Sequence, residues 1–326
     1  MSKPKIFIDG EHGTTGLEIR ERLERRDDVQ LIGLPREQAK DPAAKRGVLN
    51  SADLVILCLP DEAARESVAL IDNVSTRVID ASSAHRTAPG WVYGFPELTR
   101  GQREAVAKAK RVSNPGCYPT GFLALMRPLR ERGIVPEHFP VTVHAVSGYS
   151  GGGRKLIEAY EKPGATKPQA FGAYGLNLTH KHGPEMHTHA LLARKPVFSP
   201  SVGDYHRGML VSVPLQSSAL PAPVTGAQLH AVYAEHFAGE TFVRVRPLND
   251  TAALRDRSYL EPEDLNDTNL LEVFVYANDK EQQALLVARL DNLGKGASGA
   301  AVQNTNLMLG LPETAGLSKG IDGGRA

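Results

Sequence analysis

The sequence predicts an α/β protein, in which a doubly wound parallel sheet is joined to an α+β domain with a mostly antiparallel sheet. Three observations carry that expectation. From Lys5 to Met126, short apolar runs alternate with helical stretches, the pattern of a parallel sheet covered on both faces. The first apolar run leads directly into a glycine-rich turn and a helix. From Val141 onward, alternating strand-like segments follow one another with little helix between them. A chain of 326 residues is long for one core, so two domains are expected.

The composition narrows the function. A formal net charge of +1 gives no reason to expect a surface for nucleic acid or for a membrane. No apolar run approaches the length of a bilayer span, and the N-terminus lacks the hydrophobic region of a signal peptide. The two cysteines, Cys58 and Cys117, make no disulfide framework, which fits a reducing cytoplasm.

The first strand is Lys5-Ile6-Phe7-Ile8-Asp9, and it runs into Gly10-Glu11-His12-Gly13-Thr14-Thr15-Gly16. Leu17, Ile19 and Leu23 continue with helical spacing. Strand, glycine turn and helix form the setting in which backbone approaches a pyrophosphate at a helix N-terminus, as in a Rossmann-type domain. Gly10, Gly13, Thr14, Thr15 and Gly16 are therefore cofactor-binding candidates. The spacing is G-x-x-G-x-x-G, a variant of the commoner pattern. A second strand is expected over Val29–Leu34, ending in Pro35-Arg36. NAD-specific folds place a carboxylate at that tip. Arg36 stands there instead and favours the 2′-phosphate of NADP(H), although Glu37 is its neighbour and a solvated loop charge is the plain alternative.

A third strand spans Asp53–Pro60, with Cys58 as strand core, and a helix runs on to about Ile71. Arg77-Val78-Ile79-Asp80 is the fourth strand, followed by Ser82, Ser83 and Arg86. Ligands of doubly wound sheets sit at the carboxyl ends of the strands, so Ser82 and Arg86 are placed to face cofactor or substrate. Trp91 to Leu98 reads as a loop, and Arg103 to Lys110 as a basic helix.

Ser113-Asn114-Pro115-Gly116-Cys117-Tyr118-Pro119-Thr120-Gly121 is the centre of the arrangement. Asn-Pro-Gly makes a tight turn, and Pro119 suits the first turn of a helix. Cys117 thereby falls at a helix N-terminus, where orphan amides and the positive dipole end stabilise a thiolate. The residues alone allow two readings, an activated nucleophile or a small side chain filling a hole beside the turn. The turn's position on the sheet edge that carries the glycine loop favours chemistry between Cys117 and a nicotinamide.

In the second half, Val141–Val146 alternates as a strand, and Ser147-Gly148-Tyr149-Ser150 leads into Gly151-Gly152-Gly153. Those three glycines are either anion-accepting backbone or a flexible loop. Asn177 to His187 reads as a turn rich in ionisable groups. The four histidines from His180 to His189 raise the possibility of a metal, but a single nearby carboxylate and no second ligand cluster speak against it. A cysteine nucleophile needs an acid/base partner near neutral pH, and His182, ahead of Pro184 and Glu185, is the candidate. Strands are expected at Met209–Val213, Thr241–Val245, Leu271–Tyr276 and Gln283–Leu290, with a helix from Gly226 to Phe237. A small-residue helix, Ala300–Met308, is expected to return to the first domain. The division is thus 1–116 with 294–326, and 117–293.

The chain resembles the N-acetyl-γ-glutamyl-phosphate reductases, specifically their shorter branch. The resemblance rests on Ser113 to Thr120, Ser147-Gly148-Tyr149-Ser150-Gly151, His180-Lys181-His182-Gly183-Pro184-Glu185, and Asp291-Asn292-Leu293-Gly294-Lys295-Gly296-Ala297-Ser298-Gly299. The wider group includes aspartate-semialdehyde dehydrogenases, whose two-domain architecture the resemblance implies. It further implies NADPH-dependent reductive dephosphorylation of an acyl phosphate through a Cys117 thioester, with His182 as acid/base. His180, Glu185, Arg207 and Ser147 match substrate-pocket positions, and Gly148 and Asn292 match cofactor positions. Arg86 and Arg154 are further candidates for the substrate's carboxylate or phosphate, since guanidinium pairs with either. Ser199-Pro200-Ser201 departs from the longer branch, which has a histidine there. A homodimer or homotetramer is expected, with no metal. The rival readings are another acyl-phosphate reductase, such as aspartate-semialdehyde dehydrogenase, and a cysteine–histidine hydrolase.

Overall fold

The computed structural model describes residues 2–38, 41–164 and 166–320. The chain divides into two compact units.

The first unit holds the chain up to Pro96, Gly101–Gly116 and Ala297–Leu317. Its strands are β1 (Lys5–Asp9), β2 (Gln30–Ile32), β3 (Leu54–Leu57), β4 (Arg77–Asp80), β5 (Val92–Tyr93) and β6 (Arg111–Ser113). They form one sheet in the order β2-β1-β3-β4-β6-β5, and every pairing is parallel. Alternation along the strands supplies both faces. Ile6, Ile8, Leu54, Ile56 and Ile79 pack with Ile19 and Leu23 of α1 (Thr14–Glu24) and with Ala301, Val302 and Met308 of the C-terminal helix Gly299–Leu309. Phe7, Val55, Leu57 and Val78 face the other way, with Leu49 of α2 (Pro42–Ser51) and Ala64 of α3 (Asp61–Ala69). Burial on both faces is why these strands read as unbroken apolar runs. The basic helix is α4 (Gln102–Lys108). Two elements depart from expectation. Helix α2 was unmarked by a long apolar stripe, and it is started by Asp41, whose carboxylate accepts from the Ala43 amide at 2.9 Å. The stretch expected to be loop contains β5, a two-residue strand whose pairing to β6 leaves no periodic signal.

The second unit holds Glu97–Arg100, Cys117–Gly296 and the chain from Ser318. Residues 294–296 and 318–320 therefore group here, where the sequence division put them with the first domain. The bonds explain it: Lys295 Nζ donates to both Glu97 carboxylate oxygens at 2.8 Å, and the Asn269 amide donates to Ser318 O at 2.8 Å. Helix α5 (Cys117–Glu131) opens the unit. Strands β7 (Thr142–Gly148), β8 (Phe171–Ala173), β9 (Val197–Gly203), β10 (Met209–Gln216), β11 (Val243–Val245), β12 (Leu271–Asn278) and β13 (Gln283–Leu290) follow. Their order is β11-β12-β13-β10-β7-β9-β8, antiparallel except for β11–β12 and β7–β9. Strand β9 escaped the sequence because Pro200 lies in it, and proline within a run argues against a strand, while β8 is only three residues long and leaves no alternation to read.

Helices α6 (Arg154–Glu161), α7 (Gly183–His189) and α8 (Gly226–His236) complete the unit. Half of the expected histidine-rich turn is thus helix α7, entered through Pro184 in its first turn. Helices α5 and α8 pack on one face of the sheet. At Gly121 of α5 an added Cβ would lie 2.7 Å from Val211 Cγ2, so the helix needs glycine to approach β10 so closely. On the sheet, Pro214, Gln216, Tyr276 and Leu285 line a cavity of about 660 Å³. Among the described residues no helix is long and apolar enough to cross a membrane.

Candidate active site

The glycine turn lies at the carboxyl end of β1. Gly10 has φ +88°, and a Cβ on it would collide with the carbonyl oxygen of Cys58. A Cβ on Gly16 would collide with the oxygen of Gly10. These two glycines are demanded by the turn's own packing. Gly13 is not: its φ is −77° and an added Cβ would be 3.5 Å from its nearest neighbour, Gly10 O, an ordinary contact. It is the N-cap of α1 and supplies no side-chain cap, so Thr14 and Thr15 open the helix with their amides uncapped by a side chain. Arg36 begins a short 3₁₀ turn, Arg36–Gln38, and its side chain lies outside the described residues.

At the end of β4, the fully buried Asp80 carboxylate accepts from Ser82 Oγ at 2.7 Å and from the Ser82 amide at 2.9 Å. His85 Nδ1 meets the same carboxylate at 2.6 Å, with its ring stacked on Trp91. Arg86 is buried, and it donates to Asn114 O at 3.0 Å and Ala81 O at 3.2 Å. Its guanidinium thereby braces the ends of β4 and β6. Asp80 was unmarked in the sequence, and its position as last residue of a buried strand was the available signal.

Cys117 is the first residue of α5 and is partly exposed. Cys58 is likewise partly exposed, but desolvation of its thiol, with the Asp80 and Asp9 carboxylates adding to it, pushes that thiol up to about 12. Cys117 is seated against Gly296, where an added Cβ would stand 2.8 Å from Cys117 Cβ and 3.2 Å from its Cα. Gly296 belongs to a π-helical turn, Gly294–Ser298, and its amide donates to Asp291 O at 3.0 Å. Such turns recur at functional sites. The buried Lys295–Glu97 pair anchors the same turn.

Tyr118 carries the site outward from Cys117. Its ring meets His182 edge-on at 5.9 Å, His180 at 6.1 Å and Phe198 at 5.1 Å. Its hydroxyl donates to Ser201 O at 3.1 Å and accepts from Tyr174 Oη at 3.1 Å. Burial raises the pKa of both phenols, Tyr174 to about 12, and the charge of Cys117 adds to each shift. His182 precedes α7 and is buried, with Nε2 4.0 Å from Oε1 of the buried Glu185 one turn on. The His182 amide donates to His180 Nδ1 at 3.2 Å, and the two rings lie 4.8 Å apart. Burial lowers the pKa of His180, and neighbouring Lys181 lowers it further, so His180 favours the neutral ring.

Arg207 Nη1 donates to Asp267 Oδ1 at 2.6 Å and lies 3.5 Å from Asp291 Oδ2. Asp291 is fully buried and also accepts from the Leu293 amide at 2.9 Å. Asp291 thus links Arg207 to the turn that seats Cys117, its carboxylate facing the guanidinium and its carbonyl accepting from the Gly296 amide. Gly148 runs against the next loop, where a Cβ would be 2.6 Å from His206 O and 2.7 Å from the Arg207 amide nitrogen. Ser147 Oγ donates to Gly148 O at 3.1 Å. Asn292 accepts from the Gly208 amide at 2.8 Å and donates to Ser150 Oγ at 3.0 Å. Cys117, His180, His182, Glu185, Arg207, Ser147, Gly148 and Asn292 all fall in the second unit, and the glycine turn, Ser82 and Arg86 fall in the first. Gly296, Tyr118, Tyr174 and Asp291 went unassigned in the sequence. Gly296 and Asp291 sit inside the Asp291–Gly299 motif, which was the signal available. Among the described residues no group of three or more His, Cys, Asp or Glu side chains could hold a metal ion.

Both units match domains of the semialdehyde dehydrogenase family. Residues 33–109 match the NAD-binding domain of that family and residues 117–292 its dimerisation domain. Aspartate semialdehyde dehydrogenase II from Vibrio cholerae has the same fold, with a TM-score of 0.70 at 18% identity over 94% of this chain and 99% of that one. The sequence relatives are nearer. The N-acetyl-γ-glutamyl-phosphate reductase 2 of Nostoc sp. is 55% identical over 97% of this chain and 100% of its own length. The N-acetyl-γ-glutamyl-phosphate reductase of Burkholderia ambifaria is 53% identical over 95% and 98%, and that of Chelativorans sp. 56% over 94% and 98%. The chain belongs to the N-acetyl-γ-glutamyl-phosphate reductase family.

Proposed function

We propose that this protein reduces N-acetyl-γ-glutamyl phosphate to N-acetylglutamate semialdehyde and phosphate, in the cytoplasm, with NADPH as reductant, as a step of arginine biosynthesis. The observation that carries the reading is Cys117 at the first position of α5, with His182 and its buried carboxylate brought to the neighbouring tyrosine. Residues 1–116 with the returning C-terminal helix form the cofactor domain, and 117–293 the catalytic domain. The glycine turn fits a dinucleotide: Gly13 is needed neither for φ nor for internal packing, which leaves its open side for a ligand's phosphates beside the first amides of α1. Thr14, Thr15 and Ser82 line that strand edge, Arg36 pairs with the 2′-phosphate, and Gly148 and Asn292 complete the cofactor positions.

The chemistry follows from the residues. The thiolate of Cys117 attacks the acyl carbon of the phosphorylated side chain, and the first amides of α5 hold the developing oxyanion. The C–O bond to phosphate breaks with its electron pair, leaving a thioester on Cys117. A thioester accepts hydride where a carboxylate does not, and NADPH, when bound, supplies that hydride. His182 as imidazolium protonates the resulting oxygen. It then recovers that proton as the C–S bond breaks, which releases the semialdehyde and the thiolate. The Glu185 carboxylate, 4.0 Å from Nε2, faces the imidazole from the next turn. His180, Ser147 and Arg207 bind the substrate, and Arg86 keeps the strand ends in register for it. The sheet face bearing Pro214, Tyr276 and Leu285 suits a second copy of the chain, giving a homodimer or a homotetramer.

Phosphate-dependent oxidation of N-acetylglutamate semialdehyde, followed by absorbance with NADP⁺ and with NAD⁺, tests the reading. Activity should be lost in Cys117→Ser and should favour NADP⁺. Faster oxidation of aspartate semialdehyde would overturn the substrate assignment.

A further inference from the structure

The partner that Arg207 has in this structure is unusual for a binding-site cation. Its side chain is only 18% exposed, whereas the Asp267 side chain that takes its Nη1 hydrogen bond at 2.6 Å is 82% exposed. Asp267 reaches it from a backbone with φ +63°, in the left-handed region that most side chains avoid. That conformation is held in place: the Asp267 amide donates to Asp291 Oδ2 at 2.8 Å, and Asn266 Nδ2 donates to Arg207 O at 3.2 Å. Asp291 belongs to the permanent setting of Arg207, being fully buried and tied to the Leu293 amide. Asp267 belongs to solvent except for the atom it lends to Arg207.

We propose that Asp267 is a specificity-determining residue, whose carboxylate holds the place of the substrate's anionic group on Arg207 until a carboxylate or phosphate displaces it. The inference rests on the assignment of Arg207 to substrate binding. The energetics favour exchange for an anion alone. An exposed ion pair is worth little, so an incoming anion that pairs with the same Nη1 replaces Asp267 at small cost. A neutral group at the same position would forfeit that pair and offer nothing in its place, so the exchange favours an anion by the modest worth of the pair. The resident carboxylate thus lowers affinity for anionic substrates modestly and disfavours neutral analogues relative to anions by a similar margin.

Asparagine is one of the few residues that adopts the left-handed conformation readily, so Asp267→Asn keeps the loop while removing the charge. The test measures KM and kcat for N-acetylglutamate semialdehyde and the inhibition constant of N-acetylglutamate, in the wild type, Asp267→Asn and Arg207→Gln. Asp267→Asn should lower KM and the inhibition constant together by about two- to fivefold, the measured range for exposed pairs, with kcat within twofold of wild type. Arg207→Gln should raise both by tenfold or more. Should Arg207→Gln leave KM unchanged, the substrate role of Arg207 is wrong and the inference falls with it. Should Arg207→Gln raise KM while Asp267→Asn raises it too or leaves it unchanged, the placeholder is refuted and the substrate role stands, with Asp267 merely orienting the guanidinium.

Discussion

Replacing Gly296 by alanine tests the seating of the nucleophile directly. The new Cβ would stand 2.8 Å from Cys117 Cβ and 3.2 Å from Cys117 Cα and Asp291 O. Carbon atoms rest at about 3.5–4.0 Å, so roughly 0.7–1.2 Å of overlap must be relieved. None of these neighbours is the free end of a flexible side chain. The movement must therefore come from the N-terminus of α5 or from the π-helical turn, which Lys295 and Glu97 anchor in the interior. Overpacking of this kind costs about 1–3 kcal/mol of stability. Catalysis suffers more, since a reacting atom displaced by about 1 Å loses on the order of 10²-fold in rate. Turnover and iodoacetamide alkylation of Cys117, followed by mass spectrometry, are the assays. The control is Gly47→Ala on α2, where nothing lies within 4 Å of the added methyl, which should keep wild-type turnover. If Gly296→Ala turns over and alkylates within twofold of wild type, the seating argument is refuted.

Three further outcomes follow from the same geometry. His182→Asn should slow turnover by roughly two to four orders of magnitude, the usual range for a lost general acid/base, and near-normal rates would remove His182 from that role. Iodoacetamide at pH 8 should label Cys117 and spare Cys58: a thiol raised to about 12 holds only on the order of 10⁻⁴ of its population as thiolate there, and its labelling should rise only as pH approaches that value. Equal labelling at pH 8 would contradict the contrast between the two sites. Lys295→Met should cost about 3–5 kcal/mol by stranding the buried Glu97 charge, while Lys295→Met with Glu97→Leu should recover most of it, as read from thermal melts. A double variant as unstable as the single one would mean that the ion pair itself, rather than the stranded charge, carries the stability.

What the sequence alone determined is what depends on neighbours along the chain. The parallel strands β1, β3 and β4 were legible because both faces are buried and the residues read as continuous apolar runs. The start of α5 was legible because Asn114-Pro115-Gly116 and Pro119 restrict the backbone locally. Histidine, cysteine and the Asp291–Gly299 motif likewise announce themselves by residue type. Tertiary structure alone decided the rest. Strand β9 exists because β7 and β8 pair with it on either side, which overrides the local warning of Pro200. Gly296 was one glycine among 31 until the fold set it against Cys117. The partners of Arg207, Asp267 and Asp291, lie 60 and 84 residues away along the chain, so no local pattern could connect them. Backbone preferences and hydrophobic period act over a few residues, whereas close contact and the sharing of a buried carboxylate arise only once distant segments have been brought together.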